Sequence, residues 1–135
     1  MNNLKNVGFA VITLGVLITF GIMAYTTSAA GSLGDLLITL GFYVWVALPF
    51  VVLLALTFYI HRKGLSHASR AAVLITSVLV VVSSVAAYWA STLGSESSTS
   101  ALVFIFIPIY ALAATALLYG LSWLLLRSFM PKSRA

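Results

Sequence analysis

Four long stretches of nearly unbroken apolar residues, separated by short polar pieces, organise this chain. The first, 7–25, carries no charge, and as a helix it extends about 28 Å at ~1.5 Å per residue, close to the ~30 Å hydrocarbon core of a bilayer. The others cover about 36–60, 71–89 and 101–126. A bilayer leaves no water for backbone amides, so runs of this length predict helices that satisfy their own hydrogen bonds. The expected fold is therefore an all-α integral membrane protein, a single membrane domain over 1–135 built as a four-helix transmembrane bundle. Because the second and fourth runs exceed the core thickness, those helices are expected to tilt or bend.

Composition strengthens this reading. Of 135 residues, 62% are hydrophobic and only 7% charged, more apolar surface than a soluble domain of this size can hide. Lipid is the expected solvent. The length leaves room for the spans and little else. With no cysteine, thiol chemistry is excluded.

The charges set the orientation. Lys5 precedes the first span, Arg62, Lys63 and Arg70 lie between the second and third, and Arg127, Lys132 and Arg134 follow the fourth. Asp35 and Glu96, the two acids, fall in the two other connections. Lys and Arg in short loops stay in the cytoplasm, so both termini and the 60–70 connection are expected to be cytoplasmic, in a bacterial cytoplasmic (inner) membrane. Cations placed this way account for the net charge of +5 without any nucleic-acid partner. Tyr25, Tyr88 and Trp89 fit an outer aromatic belt, and Tyr59, Tyr119 and Trp123 an inner one. The first run is longer than the 7–15 residues usual for a signal core, so it is expected to persist as a span.

Helices in lipid associate through small residues that let backbones approach. One face of the first span carries Gly8, Ile12, Gly15, Thr19 and Thr26; the third has Ala72, Thr76, Ser83, Ala86 and Ala90, and the fourth Ala113, Ala116 and Gly120. These faces are expected to meet one another, leaving the second span the most lipid-exposed. The halves share a loose pattern, with Pro49 matching Pro108, but the two prolines are counted to different depths and the repeat is faint.

Candidate chemistry is sparse. An ion-coupled carrier needs an ionisable group inside the membrane, and the spans contain none, nor any Asn or Gln. The intramembrane acid of small multidrug carriers, the polar pore of fluoride channels and the cysteines of thiol-oxidising four-helix enzymes are all missing. His61 and His67 lack a third ligand, so neither a metal nor another cofactor is expected. The serines of 95–100 have one glutamate and no base; Ser98 or Ser100 is expected to cap the fourth helix rather than to catalyse.

Two sets of residues remain. Counting helical rise places Thr19, Tyr43, Ser83 and Tyr110 at roughly 9–14 Å from the outer edge, with Trp45, Ser84 and Pro108 in the same layer. Pro49 and Pro108 withhold a donor from the carbonyls of Trp45 and Phe104, so kinks are expected there, and the hydroxyls either line a cavity or hold the helices together. Arg62, Lys63 and Arg70 are candidate contacts for anionic headgroups. The expectation is a non-enzymatic accessory subunit or partner-binding protein, for example of the immunity type. Its partners would be the lipid bilayer and another membrane protein or a homo-oligomer. The alternative is a carrier or pore for an uncharged or lipid-like substrate, using a hydroxyl-lined outer cavity.

Overall fold

The computed structural model describes residues 2–26, 32–93 and 100–129. They form four helices: α1 (Asn2–Thr26), α2 (Leu33–Arg62), α3 (His67–Leu93) and α4 (Ser100–Phe129). Each of the four is long and apolar enough to cross a membrane. Their described ends follow local chemistry. The Ser32 hydroxyl accepts from the Asp35 amide at 3.1 Å and donates to the Asp35 carboxylate at 2.8 Å, capping α2 with an acid in its first turn. At the other end, Gly64 adopts φ +62, which spares a side chain the left-handed strain. Lys63 and Leu65 then donate to the carbonyls of Tyr59 and Ile60, and the chain reverses. Ser66 receives the Ser69 amide at 3.3 Å and opens α3. The expected serine cap of α4 involves 94–99 and the Ser100 side chain, which lie outside the described residues.

Helices consecutive in the chain alternate in direction, and their register is fixed by specific approaches. Gly8 lies opposite Thr57 and Leu74, Gly15 opposite Phe50 and Val81. Ring stacking pairs Tyr88 with Phe104 at 5.1 Å. On α2 the buried positions Val46, Pro49, Phe50, Leu53, Thr57 and Ile60 recur every three or four residues, one face of a helix. That face meets Ile12, Val80, Val81 and Ala111 at mid-bundle. Toward the end bearing Asp35, a second cluster joins Ile22, Met23, Val46 and Tyr88. Among the described residues α3 touches the three other helices, α2 also touches all three, and α1 and α4 do not approach each other.

This arrangement corrects the expected faces. The α1 stripe of Gly8, Ile12, Gly15 and Thr19 is buried, whereas Ala113 and Ala116 of α4 point outward and a Cβ on Gly120 would meet nothing within 4 Å. On α3, Ala72 and Thr76 are buried but Ser83, Ala86 and Ala90 are exposed. The inward face instead follows Val73, Ser77, Val80, Ser84 and Tyr88. At ~3.6 residues per turn those small residues keep to one face, and it is the buried face that turns along α3, from Ala68, Ala72 and Thr76 near its start to Val80, Val81, Ser84 and Tyr88 further on. The most exposed span is α4, with 17% of its apolar stretch buried against 22% for α2 and 44% for α3. Much of the outer surface is Leu, Ile, Val and Phe.

The first turns of α2 stand apart. Leu33, Leu36, Leu37, Ile38 and Leu40 are each 45–74% exposed, and no neighbour packs on Gly41. Consequently α2 enters the bundle only from about Tyr43, and depth counted from the start of its apolar run is displaced.

Candidate functional site

The residues expected to share one polar layer separate by the direction of their side chains. Thr19 is fully buried and Ser84 nearly so. Ser83 points outward and donates to its own helix at the Val80 carbonyl, 3.2 Å away. Successive helical residues are ~100° apart, so with Ser84 turned inward at this level of α3, Ser83 falls on the outer flank of the helix. Tyr110 is 69% exposed, on the side of α4 opposite buried Pro108. Tyr43 is half-buried and sets its ring edge-on to Phe20 at 5.0 Å. The layer is therefore not one cluster.

Trp45 makes the contact that joins two of the expected features. Its indole nitrogen donates to the Ile105 carbonyl at 3.2 Å, linking α2 to α4 in the turn just before Pro108. Since these helices run parallel, Pro49 and Pro108 lie one turn further along at similar height, both buried in unbroken helices. The different depths inferred for the two prolines are thus corrected: the overhang of α2 produced the apparent offset.

The buried polar side chains of the bundle include Thr19, Thr57, Ser69, Thr76, Ser77, Ser84 and Thr115, all neutral hydroxyls. Thr57, Ser77 and Thr115 donate to carbonyls one turn back, at Leu53, Val73 and Ala111, over 2.7–2.8 Å. This satisfies the hydroxyl within its own helix. The hydroxyls of Thr19, Thr76 and Tyr88 are buried with no hydrogen-bond partner. Tyr88 was expected in the outer belt but is only 1% exposed, while Trp89 beside it is 58% exposed. The inward repeat of Val80, Ser84 and Tyr88 at four-residue spacing was the signal that distinguishes the two rings.

Hollows of appreciable size lie on the outside of the bundle. One of about 560 Å³ runs along α1 and α3 between Val11 and Trp89; another of about 460 Å³ continues it to Tyr25 and Thr92. A third, about 350 Å³, lies between α2 and α4 beside Gly41, Phe42 and Trp45. None of the three is lined by Thr19, Thr76, Ser84 or Tyr88.

At the opposite end, Arg62 and Lys63 are exposed, and Arg70 is half-buried with its Nε enclosed and unpartnered. His61 Nδ1 lies 2.9 Å from the Thr57 carbonyl, to which it donates, and its Nε2 is buried without a hydrogen-bond partner. Lys5 sits over Phe9 at 5.8 Å and Arg127 over Trp123 at 5.1 Å, placing both cations against aromatic faces. Among the described residues no three His, Cys, Asp or Glu side chains gather to hold a metal ion. Among the described residues, serine and threonine hydroxyls bond to backbone carbonyls, to one another and to the Ser69 amide, and that of Ser32 bonds to Asp35 as part of the α2 cap.

No family model, curated protein or solved structure matches this chain.

Proposed function

We propose that this chain is a multi-pass protein of a bacterial cytoplasmic membrane, with both termini inside, that works by binding a membrane partner rather than by catalysis or transport. The observation that carries the reading is the separation of polarity from space. The described hollows are apolar and face outward, and the buried hydroxyls sit in packed core. A carrier needs the reverse, polar groups opening on an interior cavity. The accessory role, as a subunit or immunity-type blocker, also fits the unpacked apolar start of α2, from Leu33 to Phe42. Such a face offers contact area that the bundle itself does not use.

Photo-crosslinking from Leu37 and Ile38 in cells tests this reading. A protein adduct of one defined mass, absent when the crosslinker is moved to Leu124 on α4, is expected. Adducts with lipid alone at every position, together with substrate flux by the isolated protein, would replace the accessory role by the carrier alternative. Headgroup contact by Arg62, Lys63 and Arg70 belongs to the same proposal: near an anionic surface each cation contributes about 1 kcal/mol.

A further inference from the structure

We infer that the groove between α1 and α3 holds one acyl chain of a phospholipid whose headgroup lies at the Asp35 end and carries an ammonium group. The two hollows along this face share Ile18 and Trp89, so they form one continuous channel, open to the side. From Val11 to Tyr25 it follows about 21 Å of helix at ~1.5 Å per residue. That exceeds half of the ~30 Å hydrocarbon thickness, so the groove traverses the depth of one leaflet.

Its depth has a sequence cause. Gly21 and Ala86 leave gaps in the ridges formed by Leu14, Ile18, Val82 and Trp89, and a Cβ on Gly21 would meet nothing within 4 Å. Its narrowness excludes one class of occupant. At its base the helices touch so closely that a Cβ on Gly15 would lie 2.6 Å from Val81, so a further helix, about 10–12 Å across, cannot descend between them. A polymethylene chain can, and contact on both walls gives it more dispersion than bulk lipid does.

The ends select the headgroup. Tyr25, 81% exposed, and Trp89, 58% exposed, flank the mouth with amphipathic rings that favour headgroup depth. The described charge at this end of the bundle is Asp35, on the overhanging first turn of α2 and outside the groove lining, while the described cations lie at the other end of the helices. A headgroup carrying an ammonium is complementary to that field, and a purely anionic one is opposed by it. The inference rests on the membrane placement proposed above and not on the partner-binding role.

The experiment is native mass spectrometry of the full chain after an exhaustive detergent wash, with an equimolar mixture of phosphatidylethanolamine and phosphatidylglycerol added back. One phosphatidylethanolamine per chain is expected to remain. Gly21→Leu and Ala86→Leu, singly and together, fill the groove and are expected to reduce occupancy at least tenfold. Gly41→Leu, in the hollow between α2 and α4, is expected to leave it unchanged. In a chain retaining Trp89 but carrying Trp45→Phe and Trp123→Phe, fluorescence quenching by chain-brominated lipid should fall in the filled variants; Gly21→Leu alone suffices if the double variant loses its helical circular dichroism. The inference is overturned by an absence of retained lipid, by preference for phosphatidylglycerol, by equal occupancy in the filled variants, or by a homodimer that the same substitutions dissolve. Recovery of the chain in the soluble fraction would defeat the membrane placement itself, a separate outcome.

Discussion

The indole nitrogen of Trp45 and the carbonyl oxygen of Ile105 lie 3.2 Å apart and form a hydrogen bond between α2 and α4. Proline has no amide proton, so Pro108 disturbs the ladder of the preceding turn, and a donor from a neighbouring helix is one way such a turn is steadied. Removing that donor is expected to loosen α4 from α2. Trp45→Phe should cost about 0.6 kcal/mol, the average for interhelical hydrogen bonds in membranes, and no more than about 1.7. Reversible unfolding in mixed micelles measures this. A loss no larger than that from Trp123→Phe, whose ring sits beside Arg127, would remove the interhelical role.

Close packing of α1 rests on Gly15. Its missing Cβ would stand 2.6 Å from a Val81 methyl and 3.1 Å from the Phe50 ring, so Gly15→Ala must displace one of them. The expected cost is about 1–3 kcal/mol, as for other overpacked sites, and Gly15→Leu should cost more. Gly120→Ala, with open space around it, should be neutral or slightly stabilising through helix propensity. Equal effects at both positions in the same unfolding assay would show that the Gly15 approach does not hold α1 in place.

The number of helices was legible in the sequence because it follows from the count of long apolar runs, whereas each helix continues past its run into the polar flanks. Facing was less legible. The α1 stripe around Gly15 was readable since glycine and threonine at helical spacing have few other uses in an apolar run. On α4, Ala113 and Ala116 look the same on paper, yet Phe104, Ile107 and Leu118 pack inward beside Ala111 and Ala114. In lipid nothing forbids either face, so small residues alone do not choose. Depth failed for a different reason: Leu36 to Phe42 is as apolar as the rest of α2, and composition cannot tell an overhang from a packed turn. That single ambiguity displaced Tyr43 and Pro49 relative to Tyr110 and Pro108.

Thr19 separates packing from ligand binding. Its hydroxyl is buried without a partner, whereas that of Thr115 is satisfied by Ala111 at 2.7 Å. An unsatisfied buried hydroxyl costs stability, and replacement by an apolar group of similar shape recovers part of it. Thr19→Val is therefore expected to stabilise the bundle by about 0.5–1 kcal/mol and Thr115→Val to be near neutral. A clear destabilisation by Thr19→Val in a denaturant titration would reveal a polar partner for this hydroxyl.

Topology follows from the cations. Ser32, beside Asp35, and Ser66, beside Arg62 and Lys63, are both exposed and lie at opposite ends of the bundle. With single cysteines at these positions, an impermeant thiol reagent on intact cells should label the first and not the second. Labelling of position 66 alone would invert the proposed orientation.

Reconstituted by itself, the protein is expected neither to conduct ions nor to collapse a proton gradient. Crossing ~30 Å of hydrocarbon requires groups that replace an ion's hydration, arranged as charged rings, carbonyl rings or a wide wet pore. The buried hydroxyls of this bundle lie singly on α1, α2 and α4 and repeatedly along α3, and those of Thr57, Ser77 and Thr115 are already committed to backbone carbonyls. The Ile105 carbonyl, in the turn disturbed by Pro108, is engaged by Trp45. Tyr110, counted at first toward a polar layer, faces outward, and the three described hollows open sideways rather than through the bundle. Dye-reported proton flux in liposomes under an imposed potential, at several protein-to-lipid ratios, measures the property. Flux at background level throughout is the expected result. A flux that grows in proportion to protein and is abolished by Thr19→Val and Tyr88→Phe would instead make the unpartnered hydroxyls a conducting path, and the accessory role would have to be given up.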